Sequence, residues 1–190
     1  MKTFAYISSF FFLLQMQAQV KNEQERRIKK KDVPTEVMSW FKDAYEKQRK
    51  VKWFYQTDGE KKVYEAKLTY QNKKHSVEIS PNGILVNIEV LIDFDEIETM
   101  TKKSITTYFE TEYDKYKIKK VQIQYVGSID DLEDLIDEDE LDDDIKINYE
   151  IEFYGKNKTK DELWEALFDA VGNLLQIREI KLKATDNLDY

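Results

Sequence analysis

The chain has 190 residues, 41% apolar, 36% charged and 13% aromatic, with a formal net charge of -8 at pH 7. That supplies a core for one medium domain or two small ones, and the acidity disfavours nucleic acid and anionic membrane surfaces as partners. There is no cysteine, which excludes disulfides, zinc–thiolate sites, a thiol nucleophile and the lipid-modified cysteine of a bacterial lipoprotein.

Residues 1–19 read MKTFAYISSFFFLLQMQAQ, with Lys2 ahead of an apolar run from Phe4 to Leu14 and then a polar stretch containing Ala18. This is the layout of a secretory signal peptide. The run is shorter than the ~20 residues that span a bilayer. Cleavage near Ala18–Gln19 is expected, giving a periplasmic or secreted protein with no membrane insertion in its mature form; the alternative is a buried first strand or helix. Residues 20–31 are a charged lead-in with basic residues in excess. They read as a solvated arm or, alternatively, as a basic arm for an acidic partner.

Asp32, Pro34 and Glu36 open a helix. Along it Val37, Trp40, Phe41, Ala44 and Tyr45 form one apolar stripe. Four strands follow, carried by Val51/Trp53/Tyr55, Tyr64/Ala66/Leu68/Tyr70, His75/Val77/Ile79 and Ile84/Val86/Ile88/Val90. Asp58-Gly59 and Pro81-Asn82-Gly83 mark turns between them. A second helix is expected from Phe94 or Asp95, because Ile105, Tyr108, Phe109 and Tyr113 repeat the spacing of Val37, Trp40, Phe41 and Tyr45 at a displacement of 68. Val121, Ile123 and Tyr125 form the next strand. Ile145 to Tyr154 alternates strictly, with Ile145, Ile147, Tyr149, Ile151 and Phe153 on one face. Its Tyr149-Glu150-Ile151-Glu152-Phe153 echoes Tyr64-Glu65-Ala66-Lys67-Leu68 at a displacement of 85, so 17 residues, Ser128–Asp144, read as an insertion. Residues 163–168 look helical by local propensity. The parallel between Gly172-Asn173-Leu174-Leu175 and Gly83-Ile84-Leu85 predicts a strand there instead, then a last strand over 174–181 and a tail over 184–190.

The expected fold is therefore α+β: two tandem repeats, residues 32–92 and 93–183, each one helix packed on a four-stranded antiparallel sheet. The layout resembles PepSY-like, or β-lactamase-inhibitor-like (BLIP-like), exported bacterial proteins. The residues that carry the resemblance are Val33-Pro34, Val37, Trp40-Phe41, Trp53, the Tyr64 and Tyr149 strands, and the turns at Gly83 and Gly172. The resemblance implies a non-enzymatic module, in some relatives inhibitory, that binds an unidentified protein partner through the open sheet face. The acidic insertion and the missing proline ahead of the second helix depart from the pattern.

Two groups of candidate residues stand out. The outward sheet face would present Phe54, Glu65 and Lys67 from one half and Glu150 and Glu152 from the other, with Phe54 as an apolar anchor for a partner; a solvated back face is the plain alternative. The insertion holds 11 acids and no base. Clustered acids commonly form a solvated loop. Asp137, Asp139, Asp142 and Asp144 are the candidates for Ca²⁺, which takes six to eight oxygens, although the glycine of an EF-hand loop is missing. Leu132, Leu135, Ile136 and Leu141 would allow a short amphipathic helix suited to docking. His75, the one histidine, reads as structural. No nucleophile triad, phosphate loop or nitrogen–sulfur metal cluster appears. The function expected is a non-enzymatic exported binding module; the alternative is a Ca²⁺-responsive protein.

Overall fold

The computed structural model describes residues 19–181 apart from 47, 49 and 139. The expected signal peptide, Gln19 excepted, and the tail at 184–190 lie outside the described residues. The first two strands are β1 (Gln19–Lys21) and β2 (Glu23–Ile28). Their sequences, QVK and EQERRI, lack the apolar alternation that announces a strand, and the charged lead-in is where they fall.

A 3₁₀ turn at Lys30–Asp32 leads into α1 (Thr35–Ala44), so Asp32 belongs to the turn and Pro34 stands at the helix N-cap. The stripe Val37, Trp40, Phe41 and Ala44 is buried. Strands β3 (Lys52–Asp58), β4 (Lys61–Tyr70), β5 (Lys73–Ile79) and β6 (Leu85–Leu91) follow. Helix α2 (Thr99–Glu112) starts later than Phe94–Asp95. Asp93 and Glu96 close a capping box around a separate 3₁₀ turn at Phe94–Glu96, and the Glu98 carboxylate then accepts from the Met100 and Thr101 amides at 2.8 and 3.0 Å. These contacts satisfy orphan N–H groups of the helix start and fix its position. Strand β7 (Lys115–Val126), helix α3 (Ile129–Asp137) and strands β8 (Lys146–Lys156), β9 (Asp161–Asp169) and β10 (Leu174–Ile180) complete the chain.

Segment β9 is a strand despite its helical propensity. It is hydrogen-bonded on both sides, to β8 and to β10, and Trp164, Ala166 and Phe168 alternate into the core. Two complete ladders outweigh the few tenths of a kcal/mol per residue that propensity contributes. At the β9–β10 turn, Gly172 has φ +87°, and a Cβ there would lie 2.8 Å from the Thr101 carbonyl oxygen. The turn presses against the first turn of α2, and only glycine fits both conditions.

The expectation of two repeats, each a helix on its own four-stranded sheet, is corrected by the strand order. All ten strands form one sheet, β1-β10-β9-β8-β7-β6-β5-β4-β3-β2. β6 pairs with β7 from Ile88↔Tyr125 to Leu91↔Gln122, which fuses the halves. β1 runs parallel to β10 while β2 runs antiparallel to β3. Because only Asn22 separates β1 from β2, the chain crosses at that point between the two terminal positions of the sheet. The sheet therefore curls into a nearly closed barrel. The pairing of β6 with β7 and the closing segment 19–28 are non-local choices that periodicity within a strand does not encode.

Helices lie on the outside. α1 packs on the outer residues Trp53, Ala66, Val77 and Ile88 in one apolar cluster. Ile105 and Phe109 of α2 pack with Val121, Ile151, Phe153, Ala166 and Phe168 in the other. The acidic insertion is ordered as α3: Leu132 and Ile136 join the first cluster, and Trp40 Nε1 and the Tyr70 hydroxyl donate to the Ile129 and Ile136 carbonyls at 3.3 and 3.2 Å. Its apolar face is thus spent on the core and is not free for docking.

Candidate functional site

Successive side chains of a strand point to opposite faces of a sheet. With the helices covering the apolar outer positions, the alternate polar positions converge inside the barrel. The register aligns Phe54, Glu65, Glu78 and Asn87 in one row. Lys67, Ser76, Glu89, Gln124 and Asn148 form the next. Lys120, Glu152, Glu165 and Arg178 form a third. The face expected to be open is the barrel interior: Glu65, Glu78, Glu89 and Glu165 are 3–9% exposed.

Burying so many charges is costly unless they are paired, and most are. Lys21 contacts Glu165 at 2.5 Å and Glu23 at 2.7 Å. Arg178 donates to the other Glu165 oxygen and to Asp58, the latter at 2.5 Å. Lys67 reaches Glu25 at 2.7 Å and Glu65 at 3.2 Å, with its ammonium 4.9 Å from the Phe54 ring centroid. Ser76 also donates to Glu65. Lys61 meets Glu78 at 2.8 Å and Lys120 meets Glu152 at 3.2 Å. An amide relay crosses the floor: Asn148 Nδ2 donates to Gln124 Oε1 at 3.0 Å, and Gln124 Nε2 to Glu89 at 3.2 Å.

The carboxyls respond to these surroundings in different directions. Burial pushes Glu65 up to about 7 against the pull of Lys67 and the Ser76 hydrogen bond. Burial raises Glu89, with Glu78 adding to it, and raises Glu150 well above the usual range, with Glu89 and Glu165 adding to it. Burial acts on Glu165 as well, but Lys21 and Arg178 together overcome it and hold that carboxyl below its ordinary value. His75 lies 3.0 Å from the Tyr45 hydroxyl and is pushed down to about 4 by burial, with Lys73 adding to the effect. It is a neutral core side chain near pH 7.

Phe54, Glu65 and Lys67 of β3 and β4 and Glu150 and Glu152 of β8 all lie on the face turned to the barrel interior, but as two separate groups, with β5, β6 and β7 between them. Glu150, Glu152 and Glu165 approach closely enough that one oxygen from each lies within 4.8 Å of the others. Sequence reasoning missed Glu165, hidden in a segment with helical propensity, along with Arg178, Lys21 and Asp58; the period-two alternation of β9 was the available signal. Of the other predicted set, Asp137, Asp142 and Asp144 are described. Asp137 ends α3, Asp144 donates its amide to Asp142 at 2.8 Å, and Asp139 lies outside the described residues. Among the described residues no cluster of three carboxylates forms there.

A groove of about 870 Å³ lies where the 3₁₀ turn, β2, β3 and β4 meet. Arg26, Arg27, Lys29, Lys30 and Lys52 line it, with Asp32 as the one acid. Tyr55 and Tyr64, in edge-to-face contact at 5.3 Å, and Trp53 give it an aromatic wall. Arg26 stacks on Tyr55 at 5.9 Å. Arg27, Lys29, Lys30 and Lys52 form no ion pair among the described residues. In a protein of net charge -8, this is a local reversal of sign.

No family model matches the sequence, and no curated protein matches it. Solved structures share the fold. A DUF2874 family protein from Bacteroides ovatus aligns over 77% of this chain and 86% of its own, with a TM-score of 0.52 at 16% identity. A protein from Bacteroides eggerthii, provisionally named periplasmic, aligns over 77% and 88%, with a TM-score of 0.50 at 13% identity. A BLIP-like protein from Bacteroides fragilis aligns over 81% and 91% at 11% identity, with a TM-score of 0.49, below the level at which a likeness bears on fold. No helix among the described residues is long and apolar enough to cross a membrane.

Proposed function

We propose that the protein is a non-enzymatic binding module that works outside the cytoplasm, and that it holds an acidic segment of a partner protein in the cationic groove where the 3₁₀ turn meets β2–β4. The observation that carries this reading is the set of cations around the groove that form no ion pair among the described residues. Exposed like charges without counterions repel one another, and a partner's carboxylates would remove that repulsion. Tyr55, Tyr64 and Trp53 offer the aromatic surface that anchors protein contacts. Export is supported by the signal-like pattern of residues 1–19 and by the provisional name of the Bacteroides eggerthii neighbour. The barrel interior is a poorer docking surface in this closed form, because segment 19–28 covers it and its charges already face one another. The non-enzymatic reading is supported by a histidine held neutral against Tyr45 and by interior carboxylates engaged with lysine and arginine.

The test compares three baits in periplasmic extract of the host: the native protein, a groove variant carrying Arg27→Glu, Lys29→Glu and Lys52→Glu, and a variant with Asp142→Asn and Asp144→Asn. Proteins bound by the first and third baits but lost from the second, with binding that weakens as salt rises, are the expected result. Equal recovery on the groove variant would overturn the proposal.

A further inference from the structure

We infer that the barrel interior holds a hard divalent cation of the Ca²⁺ class between Glu150, Glu152 and Glu165, with Gln122 as a further oxygen ligand. One carboxylate oxygen from each of the three glutamates lies within 4.8 Å of the others. Two ligands on opposite sides of a Ca²⁺ ion, each at about 2.4 Å, are separated by about that distance.

The second observation is independent of the acids. Gln122, directly across the ladder from Glu150, is 6% exposed, and its Oε1 has no hydrogen-bond partner among the described residues. Asn148, two positions before Glu150 on the same face, is 3% exposed, and its Oδ1 likewise has no partner among the described residues. The Asn148 amide is oriented by the relay: its Nδ2 donates to Gln124 Oε1, while Gln124 donates to Glu89. Flipping Asn148 would set two carbonyl oxygens against each other, so its Oδ1 is a genuine acceptor. Buried acceptors nearly always find a donor or a cation, and these two flank the carboxylate cluster.

Charge balance points the same way. The groups facing this part of the interior are the acids Glu23, Asp58, Glu89, Glu150, Glu152 and Glu165 and the bases Lys21, Lys120 and Arg178. Lys21 and Arg178 are shared between acids, and Lys120 is committed to Glu152 at 3.2 Å. Glu150 makes no ion pair or hydrogen bond among the described residues, which leaves both of its oxygens free to chelate. An all-oxygen donor set with neither imidazole nor thiolate disfavours zinc and copper. An irregular cage of carboxylates and amide oxygens suits Ca²⁺ better than the strict octahedron of Mg²⁺.

The purified protein titrated with CaCl₂ in a calorimeter, alongside thermal melts at mildly alkaline pH, tests the inference. One ion per chain is expected, with an affinity near the ~0.1–1 mM of extracellular Ca²⁺ modules and a melting point raised by about 1–5 °C at ~1 mM ion. Glu150→Gln should abolish both while keeping the fold by circular dichroism, since it preserves the volume of a side chain that makes no ion pair or hydrogen bond among the described residues. Gln122→Leu should weaken binding, and Asp142→Asn with Asp144→Asn should leave it intact. No heat and no shift in the native protein overturn the inference. Binding that survives Glu150→Gln but is lost with the Asp142 and Asp144 changes also overturns it, by moving the ion to the acidic stretch.

Discussion

Glu65 and Glu165 both face the barrel interior and titrate in opposite directions. Burial acts on both; Lys67 and Ser76 fall short of offsetting it at Glu65, whereas Lys21 and Arg178 exceed it at Glu165. A carboxyl raised in the fold stabilises it below its unfolded pKa, and that contribution is lost as pH climbs through about 7 for Glu65. A carboxyl depressed in the fold, such as Glu165, contributes above its unfolded pKa and loses that contribution as pH falls through its folded value. Stability should therefore peak in mildly acidic solution. Urea melts from about pH 5 to about pH 8 should show native stability falling, and Glu65→Gln should reduce the slope and gain on the order of 1–2 kcal/mol at the upper end. An unchanged slope in that variant would refute the assignment. Gly155 gives a test that involves no charge. A Cβ there would lie 2.6 Å from Tyr113 Cε1 and 2.8 Å from Phe153 Cε2, both in buried rings. Gly155→Ala should cost about 1–3 kcal/mol through overpacking, read as a lower urea midpoint at constant m-value.

Helix α3 is the element whose sequence and role diverge most. Its acids read as a solvated loop or a Ca²⁺ loop, yet Ser128 and Asp131 cap its first turn reciprocally and Leu132 is fully buried beside α1. The apolar residues at positions 132 and 136 mattered more than the acids around them, because one buried leucine contributes about 1.5–3 kcal/mol while exposed charges on a helix contribute tenths. Leu132→Ala should therefore destabilise the protein by about 2–4 kcal/mol in chemical denaturation. Asp134→Asn on the exposed side should change it by less than ~0.5 kcal/mol. Similar losses from the two substitutions would mean that α3 does not pack on the core. Strand β9 teaches the converse. Its local sequence favours a helix, and the ladders on both of its edges decide the matter.

At the scale of the molecule, Arg178 is the group that spans the seam. It draws Glu165 of β9 and Asp58 of β3 to β10, while Lys21 of β1 reaches Glu165 from the other side. Arg178→Met should cost about 3 kcal/mol, since it leaves part of the buried carboxylate charge uncompensated. It should also raise amide exchange in β1 and β2 ahead of the rest of the sheet; uniform exchange across all strands would show that the seam is not a separate unit. The order of helices and strands from α1 onward, the apolar stripe of each helix and the polar character of one sheet face were legible in the residues, because periods of two and near four act over a few neighbours and are written locally. So was the placing of Phe54, Glu65, Lys67, Glu150 and Glu152 on polar faces. Three-dimensional folding alone decided that β6 joins β7, that a charged lead-in closes the sheet, and that a face patterned for water is enclosed. Edge-to-edge pairing depends on register between segments far apart in the chain, and a polar residue reads the same in sequence whether it meets solvent or a buried counterion.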